Sequence, residues 1–438
     1  MALLLSFWLL SAFIVHNSIF SINAKRSFVR SSENASCPSQ PCLPLNDYAR
    51  ESNQYFLDNT TFIFLPGIHR LDIQLRLKNV SSVAFITVFD EQQDDTVRVF
   101  LSPSVNITLT DCDNIEISGL VFVLSGHSEE ELFSGLVLQR TTSVFLTHLT
   151  LFGNGSLQST AIFLSDSSQI TINNVKVSGA TSTDGSVLYA LNSTIAFLGQ
   201  NIFVNNTATD AGGAIVLNHC TSNFTGNISF VNNTASEGGA IVFIGGSYYI
   251  LGNISFVNNK AIPDTASNQR HETTVPAASP IGNGGAILAV FNSTLTFETT
   301  SNAEFIENTA SSDGGAISVS EWSNLVIQGR ALFERNTAHR GGAIGANNHS
   351  MIYCDGSSNR NNADRYSVAT NSDDAINIEL EGILFRGNEA RTGGGGAISS
   401  FRSYLHISTS KFENNSACLL YTSPSPRDAT LSRMPSSA

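Results

Sequence analysis

One phrase of about a dozen residues recurs along the chain, and it constrains the fold more than any other feature. The stretch NNTATDAGGAIVL, which begins at Asn205, returns as NNTASEGGAIVF at Asn232. The tetrad Gly-Gly-Ala-Ile begins at Gly212, Gly238, Gly284, Gly314, Gly341 and Gly395. A second motif, Phe-x-x-Asn, begins at Phe203, Phe230, Phe256, Phe305, Phe333, Phe385 and Phe412. Self-similarity at a fixed period indicates stacked supersecondary units.

The unit is about 27 residues long. Successive motif phenylalanines are 26 to 28 residues apart, except across the intervals 256–305 and 333–385, which each fit one unit carrying an insertion. Within a unit, three short β-branched and aromatic runs are separated by Asn, Gly and Ser, without a helical period. We therefore predict an all-β parallel solenoid, in which each strand pairs with its copy one coil further on.

This geometry gives each motif position a physical role. A Phe repeated once per coil stacks on its copies and fills a narrow core. An Asn three residues later can form a ladder of side-chain amides, and the ladder is expected at Asn206, Asn233, Asn259, Asn308, Asn336, Asn388 and Asn415. Gly-Gly allows positive φ and lets neighbouring coils approach closely.

Together, the Gly-Gly-Ala-Ile and Phe-x-x-Asn motifs resemble the repeat of the chlamydial polymorphic outer-membrane proteins. The resemblance covers residues 195–417, about half the chain. It implies a right-handed parallel β-helix displayed at a surface and acting in adhesion. Upstream, aligning Ile115, Val144, Ile170 and Ile195 extends the same rhythm into degenerate earlier coils.

The predicted organisation has four parts. Residues 1–24 are expected to be a signal peptide, and residues 25–58 an N-terminal cap segment. The β-helix is predicted for 59–417, with polar inserts near 260–283 and 355–374 that could frame one recognition patch. Residues 418–438 match no repeat and look like translated vector sequence, so an anchor to a membrane would have to lie in a C-terminal part that this chain lacks.

The surface chemistry agrees with secretion or display at the cell surface. Fourteen Asn-x-Ser/Thr sequons occur along the chain, at a density typical of glycosylated proteins. A formal net charge of −13 argues against nucleic acid as a partner. Cys37 and Cys42 could close a small disulfide loop in the cap, whereas Cys112, Cys220 and Cys354 are expected to be free and buried.

Catalysis has weak support in the sequence. The triplet Thr183 to Gly185 and the tetrad Asp373 to Ile376 are faintly similar to motifs of polysaccharide hydrolases. They lie about seven coils apart, or roughly 34 Å at one strand spacing per coil, which is too far for a shared site. No cofactor or metal site is predicted. We expect adhesion or an extracellular scaffold role with a protein or glycan partner; the alternatives are a pectin-lyase-like enzyme and a purely structural matrix protein.

Overall fold

The computed structural model describes residues 25–30, 42–50, 58–87, 97–124, 133–153, 160–263, 282–356, 366–367, 377–378 and 382–418. They form a parallel β-helix of about 11 turns with ~27 residues per turn and almost no helix, which confirms the predicted fold class. Several predictions fall outside these residues: the signal peptide, Cys37, Asp373 and Asp374, most of both inserts, and the tail beyond Cys418.

Each coil of the repeat region has four strands, where the sequence predicted three. The additional strand has only two residues in most coils, as in Thr234–Ala235, and follows the Asn of Phe-x-x-Asn. So short a strand leaves no alternation to recognise. Strands of successive coils stack into four faces, numbered here from the Gly-Gly turn onward.

The first and second faces belong to one sheet of 23 strands, because Ile215–Phe224 and Ile241–Ile250 run through both. The other strands of the first face are Leu75–Lys78, Asn106–Thr110, Phe133–Gln139, Thr160–Ser165, Leu188–Leu191, Ile287–Val290, Ile317–Val319, Ile344–Ala346 and Ile398–Ser400. Those of the second face are Lys25–Val29, Cys42–Leu43, Thr60–Phe64, Ser81–Thr87, Asp113–Ser118, Thr142–Thr147, Ser168–Asn173, Thr194–Leu198, Thr294–Phe297, Asn324–Ile327, Met351–Asp355 and Tyr404–Ser408.

The third and fourth faces are separate sheets of 12 and 8 strands. The third face contains Gly67–Leu71, Val97–Leu101, Val121–Leu124, Thr150–Gly153, Lys176–Ser178, Gln200–Val204, Asn227–Val231, Asn253–Val257, Asn302–Ile306, Arg330–Glu334, Ile383–Arg386 and Ser410–Glu413. The fourth contains Thr181–Asp184, Thr207–Ala211, Thr234–Ala235, Lys260–Ala261, Thr309–Ala310, Thr337–Ala338, Glu389–Ala390 and Ser416–Ala417. A short helix spans Leu45–Arg50, and Tyr366–Ser367 pairs antiparallel with Asn377–Ile378.

The register in the degenerate early coils is the one aligned from the sequence. Ile115, Val144, Ile170 and Ile195 pair in succession across the second face. All four side chains are buried. Because side chains alternate between the two sides of a strand, a slip of one residue would turn this whole apolar row towards solvent.

The seven motif phenylalanines form one stacked column inside the third face. Consecutive ring centroids are 4.8 or 4.9 Å apart, which is the spacing of the coils themselves. The rings from Phe203 to Phe385 are buried. Phe412, in the last described coil, is 47% exposed.

Beside this column, the seven motif asparagines form a continuous hydrogen-bond ladder. In a typical step, Asn259 Nδ2 donates to Asn308 Oδ1 at 3.0 Å and to the carbonyl oxygen of Phe230 at 3.0 Å. The Asn259 backbone N–H also donates to Asn308 Oδ1, at 3.0 Å. The same pattern joins Asn206, Asn233, Asn259, Asn308, Asn336, Asn388 and Asn415.

The two glycines of each tetrad serve different purposes. The first has a positive φ, as in Gly314 at 68°, which costs glycine little and other residues more. The second lies against the backbone of the next coil, since a Cβ at Gly315 would meet the carbonyl oxygen of Gly342 at 2.1 Å. Replacing either glycine with a larger residue would therefore distort the corner between the fourth and first faces.

The segment before residue 59 contributes to the helix and closes its N-terminal end. Lys25–Val29 pairs in parallel with Thr60–Phe64, so the stack includes a strand from the predicted cap segment. The helix Leu45–Arg50 buries Leu45 and Tyr48 in the main core. Cys42 is disulfide-bonded. Cys112, Cys220 and Cys354 are free and buried, as expected.

Both inserts leave the helix through narrow stems. A Cβ built on Gly282 would lie 3.3 Å from the ring of Pro263, and one built on Gly356 would lie 2.5 Å from Cα of Gly382. The first stem lies between the fourth and first faces, and the second between the second and third faces. These corners are diagonally opposite, which does not support the expected patch framed by both inserts.

The Phe column generates a stability prediction with an internal control. We expect Phe305→Ala to lower the free energy of unfolding by about 3 to 5 kcal/mol, because it removes a fully buried ring between two stacked neighbours. Phe412→Ala, at the exposed end of the same column, is expected to cost much less. Urea unfolding followed by circular dichroism measures both, and equal losses would contradict the stacking account.

The stems generate a second prediction. We expect the fold to tolerate deletion of residues 264–281 with direct joining of Pro263 to Gly282, and deletion of 357–381 with joining of Gly356 to Gly382, because both ends already lie in contact. A matched control deletes 207–224, which contain strands of three faces, and should abolish the cooperative transition. Thermal unfolding checks the three variants; a large drop in Tm for either insert deletion would show that the insert stabilises the coils.

Candidate functional site

The outward side of the third face carries polar rows that run along the helix axis. In four consecutive coils, Gln200, Asn227, Asn253 and Asn302 occupy one register position. Two residues further along each strand, the outward row consists of Ile202, Ser229, Ser255 and Glu304. Amide and hydroxyl groups are thus repeated at the coil spacing of about 4.8 Å.

These rows line an open groove with a volume of about 400 Å³, which we call the third-face groove. Asn253 Nδ2 donates to Asn227 Oδ1 at 2.9 Å, and Ser255 Oγ donates to Ser229 Oγ at 3.1 Å. Both asparagines are exposed. Each side chain therefore keeps further donor or acceptor capacity for a partner.

Two sequons lie within this groove. Asn227 and Asn253 each begin an Asn-Ile-Ser sequence whose Asn and Ser both face outward. This triplet directly precedes the buried motif Phe of the same strand, so it was visible in the sequence, although only the strand alternation shows that it points outward. The motif Phe and Asn residues themselves lie inside, where they hold the coils together.

A second polar group lies at the corner between the fourth and first faces. Asp184 pairs with Ala211 in the next coil, and Ala211 bridges to Glu237 in the coil after that. Asp184 Oδ1 accepts a hydrogen bond from the Ala211 N–H at 3.2 Å. Asp184, Asp210 and Glu237 thus follow one another along this corner, and we call them the corner carboxylates.

Glu237 is the most perturbed of these three groups. Its side chain is 6% exposed, and burial, reinforced by the charge of Asp210, raises its pKa to about 8. Its Oε2 accepts the backbone N–H of Asn283 at 3.0 Å, which partly offsets the shift. A carboxyl group that is protonated at neutral pH could act as a proton donor, the role of the acid in glycoside hydrolysis.

The sequence analysis considered Asp184 only as part of Thr183 to Gly185. Its neighbours in the structure are Asp210 and Glu237, which come from the next two coils and stand in the sequences Asp-Ala-Gly and Glu-Gly. An acidic residue one or two positions before the corner glycine in three successive coils was the available signal. The second hydrolase-like motif, with Asp373 and Asp374, lies outside the described residues.

The described ranges lack two other kinds of feature. Within them, no three His, Cys, Asp or Glu side chains are placed to hold a metal ion. No helix there is long and apolar enough to cross a membrane. Burial raises the pKa of Cys220 to about 11 and that of Cys354 to about 12, so both thiols stay protonated and unreactive at neutral pH.

One stretch of the chain matches a known family. Residues 302–320 match the model described as the Chlamydia polymorphic membrane protein repeat. The matched stretch contains Phe305, Asn308 and the tetrad from Gly314, one copy each of the two motifs. The chain is therefore similar to a family of surface membrane proteins, and at the level of that family the match supports a surface location. No curated protein matches the chain.

Burial of Glu237 predicts a pH dependence of stability. Its pKa is raised from 4.5 to about 8 in the folded protein. Folding therefore favours the protonated form, and the contribution is complete below about pH 4.5 and is lost as the pH rises towards 8. Glu237→Gln should remove this loss and be more stable than the wild type at pH 8, by on the order of 4 kcal/mol.

Urea unfolding between pH 4.5 and 8.5 measures the effect. Glu389→Gln is a matched control, because Glu389 is exposed on the fourth face. The control should follow the wild-type pH dependence, and a Glu237→Gln profile parallel to the wild type would show that Glu237 ionises normally.

Proposed function

We propose that this chain is a surface-displayed β-helix that acts in adhesion, binding a partner without chemical turnover through the third-face groove. The observation that carries the proposal is the groove lined by two in-register rows over four coils, in which Gln200, Asn227 and Asn253 are exposed and the Ser229 and Ser255 hydroxyls are partly exposed. The match to a repeat of surface membrane proteins supports display outside the cell.

The form of the groove favours an extended partner lying along the helix axis. Equivalent groups recur once per coil, so a partner with its own short repeat can make the same contact several times. Beside the polar rows, Val204, Val231, Val257 and Ile306 form a partly exposed aliphatic row. Polar groups next to an apolar strip suit both an extended peptide and a glycan.

A polysaccharide-degrading enzyme is the second candidate, and Glu237 is the observation that favours it. Its raised pKa suits a general acid, and Asp210 and Asp184 follow in adjacent coils. Burial argues against this candidate, because Glu237 is 6% exposed and a polysaccharide could hardly reach its carboxyl group. A purely structural matrix role would use neither the groove nor these carboxylates.

The test separates the three readings. Full-length protein is incubated with cultured epithelial cells and with matrix-coated surfaces, and bound protein is quantified for the wild type, Ser255→Arg and Ser178→Arg. Ser255 lines the groove. Ser178 faces outward on the same face, in the coil directly before the first coil of the groove. Producing all three in bacteria keeps glycans off Asn253, whose sequon Ser255→Arg would remove.

We expect saturable binding by the wild type, a loss of about tenfold in affinity for Ser255→Arg because the guanidinium fills the groove, and no loss for Ser178→Arg. Absence of wild-type binding would favour the matrix role, and equal binding by the two variants would exclude the groove. Reducing ends released from polygalacturonate or related polymers, and abolished by Glu237→Gln, would establish the enzyme instead.

A further inference from the structure

Trp322 is an exposed aromatic side chain at one corner of the helix. It lies between the first and second faces and is 64% exposed. One residue per coil occupies this position in the C-terminal region, namely Asn292, Trp322, His349 and Arg402. We call these four residues the corner column.

The indole ring has one covered face and one open face. Its ring stacks on the His349 imidazole of the following coil, with centroids 4.5 Å apart and an angle of 18°. The opposite face points towards the preceding coil, where the corner residue is Asn292. Because the Asn side chain is much shorter than Trp, the outer part of this indole face is open to solvent, in agreement with the high exposure.

The backbone makes a tryptophan costly here. Glu321 and Trp322 have φ values of 58° and 65°, so two consecutive non-glycine residues are left-handed. Asn292, at 63° in the preceding coil, shows that the corner accepts the residue type that tolerates this conformation best. The same left-handed pair occurs at Phe291 and Asn292 and at Asn348 and His349, so the conformation belongs to the corner, and the high exposure of its large ring distinguishes Trp322.

Further aromatic and polar groups continue the surface along the same coils. On the outward side of the second face, Tyr353 stacks on His406 with centroids 4.7 Å apart. Arg402 lies over the ring of Phe401, which is 54% exposed. In each of the two stacked pairs, the rings are separated by about one coil spacing of 4.8 Å.

We infer that the corner column is a glycan-binding site in which the open face of Trp322 stacks against a pyranose ring. The negative face of an indole attracts the C–H groups on one side of a sugar ring. Asn292 and Glu321 offer hydrogen-bond partners for hydroxyl groups beside that ring. The site lies on a different corner from the third-face groove, so the two can be tested separately.

The chain supplies its own probe for the test. Trp8 and Trp322 are its two tryptophans, so Trp322 is the sole fluorophore of this type in full-length protein carrying Trp8→Phe. Asn292 begins an Asn-Ser-Thr sequon, and bacterial production keeps a glycan of the chain itself off the ring. Cellohexaose, chitohexaose and hexagalacturonate are titrated in turn while tryptophan emission and calorimetric heat are recorded.

We expect at least one hexasaccharide to shift the Trp322 emission and bind saturably. Trp322→Asn should weaken that binding about tenfold, with a Tm equal to or above the wild type because Asn suits positive φ. Trp322→Tyr should retain part of the affinity. Phe152→Asn, which removes an exposed aromatic from the third face, is the matched control and should bind as the wild type does.

Two results would overturn the inference. The first is that none of the three sugars changes emission or gives binding heat. The second is that Trp322→Asn, shown to be folded by its Tm, binds as tightly as the wild type. Loss of binding in Phe152→Asn with retention in Trp322→Asn would move the site to the third face.

Discussion

The structure depends on the satisfaction of buried side-chain amides by identical neighbours. An amide placed in an apolar core without partners costs several kcal/mol, more than most single contacts return. Asn308 avoids that cost because Asn259 donates to its oxygen while its own Nδ2 donates to Asn336 and to the Phe256 carbonyl. Within the ladder, each Asn is therefore satisfied mainly by the Asn in the same register of the neighbouring coils.

The same constraint leaves the outward side chains free. Inside the third face, each coil must repeat its Phe and Asn, but outside it the register position of Ser255 is filled by Ile202, Ser229 and Glu304 in other coils. The corner between the first and second faces shows equal freedom, with Asn292, Trp322, His349 and Arg402 in one column. The fold therefore leaves these outward positions free to vary from coil to coil.

This division explains what could be predicted from the sequence. Phe203 and its copies could be recognised by their period, because the core accepts little else there. The alignment of Ile115 with Ile195 followed from the alternation of apolar residues together with steps of about one coil length. The fourth face was not predicted, because most of its strands, such as Thr234–Ala235, have only two residues and show no pattern. Asp184, Asp210 and Glu237 carry a weak periodic signal, an acid one or two positions before the corner glycine, but only the register of adjacent coils makes them neighbours. Trp322 belongs to no repeat and had no periodic signal.

Because the two inserts leave the helix through narrow stems, their length can change without a change in the fold. The conformational entropy lost on closing a flexible loop grows only with the logarithm of its length, so each doubling costs about 0.6 kcal/mol. Doubling the segment that leaves the helix between Gly356 and Gly382 therefore costs less than the roughly 0.8 kcal/mol that one buried methylene group contributes. Changes in the length of these segments would therefore have little effect on stability. Related chains can differ at these two corners while their coils stay the same.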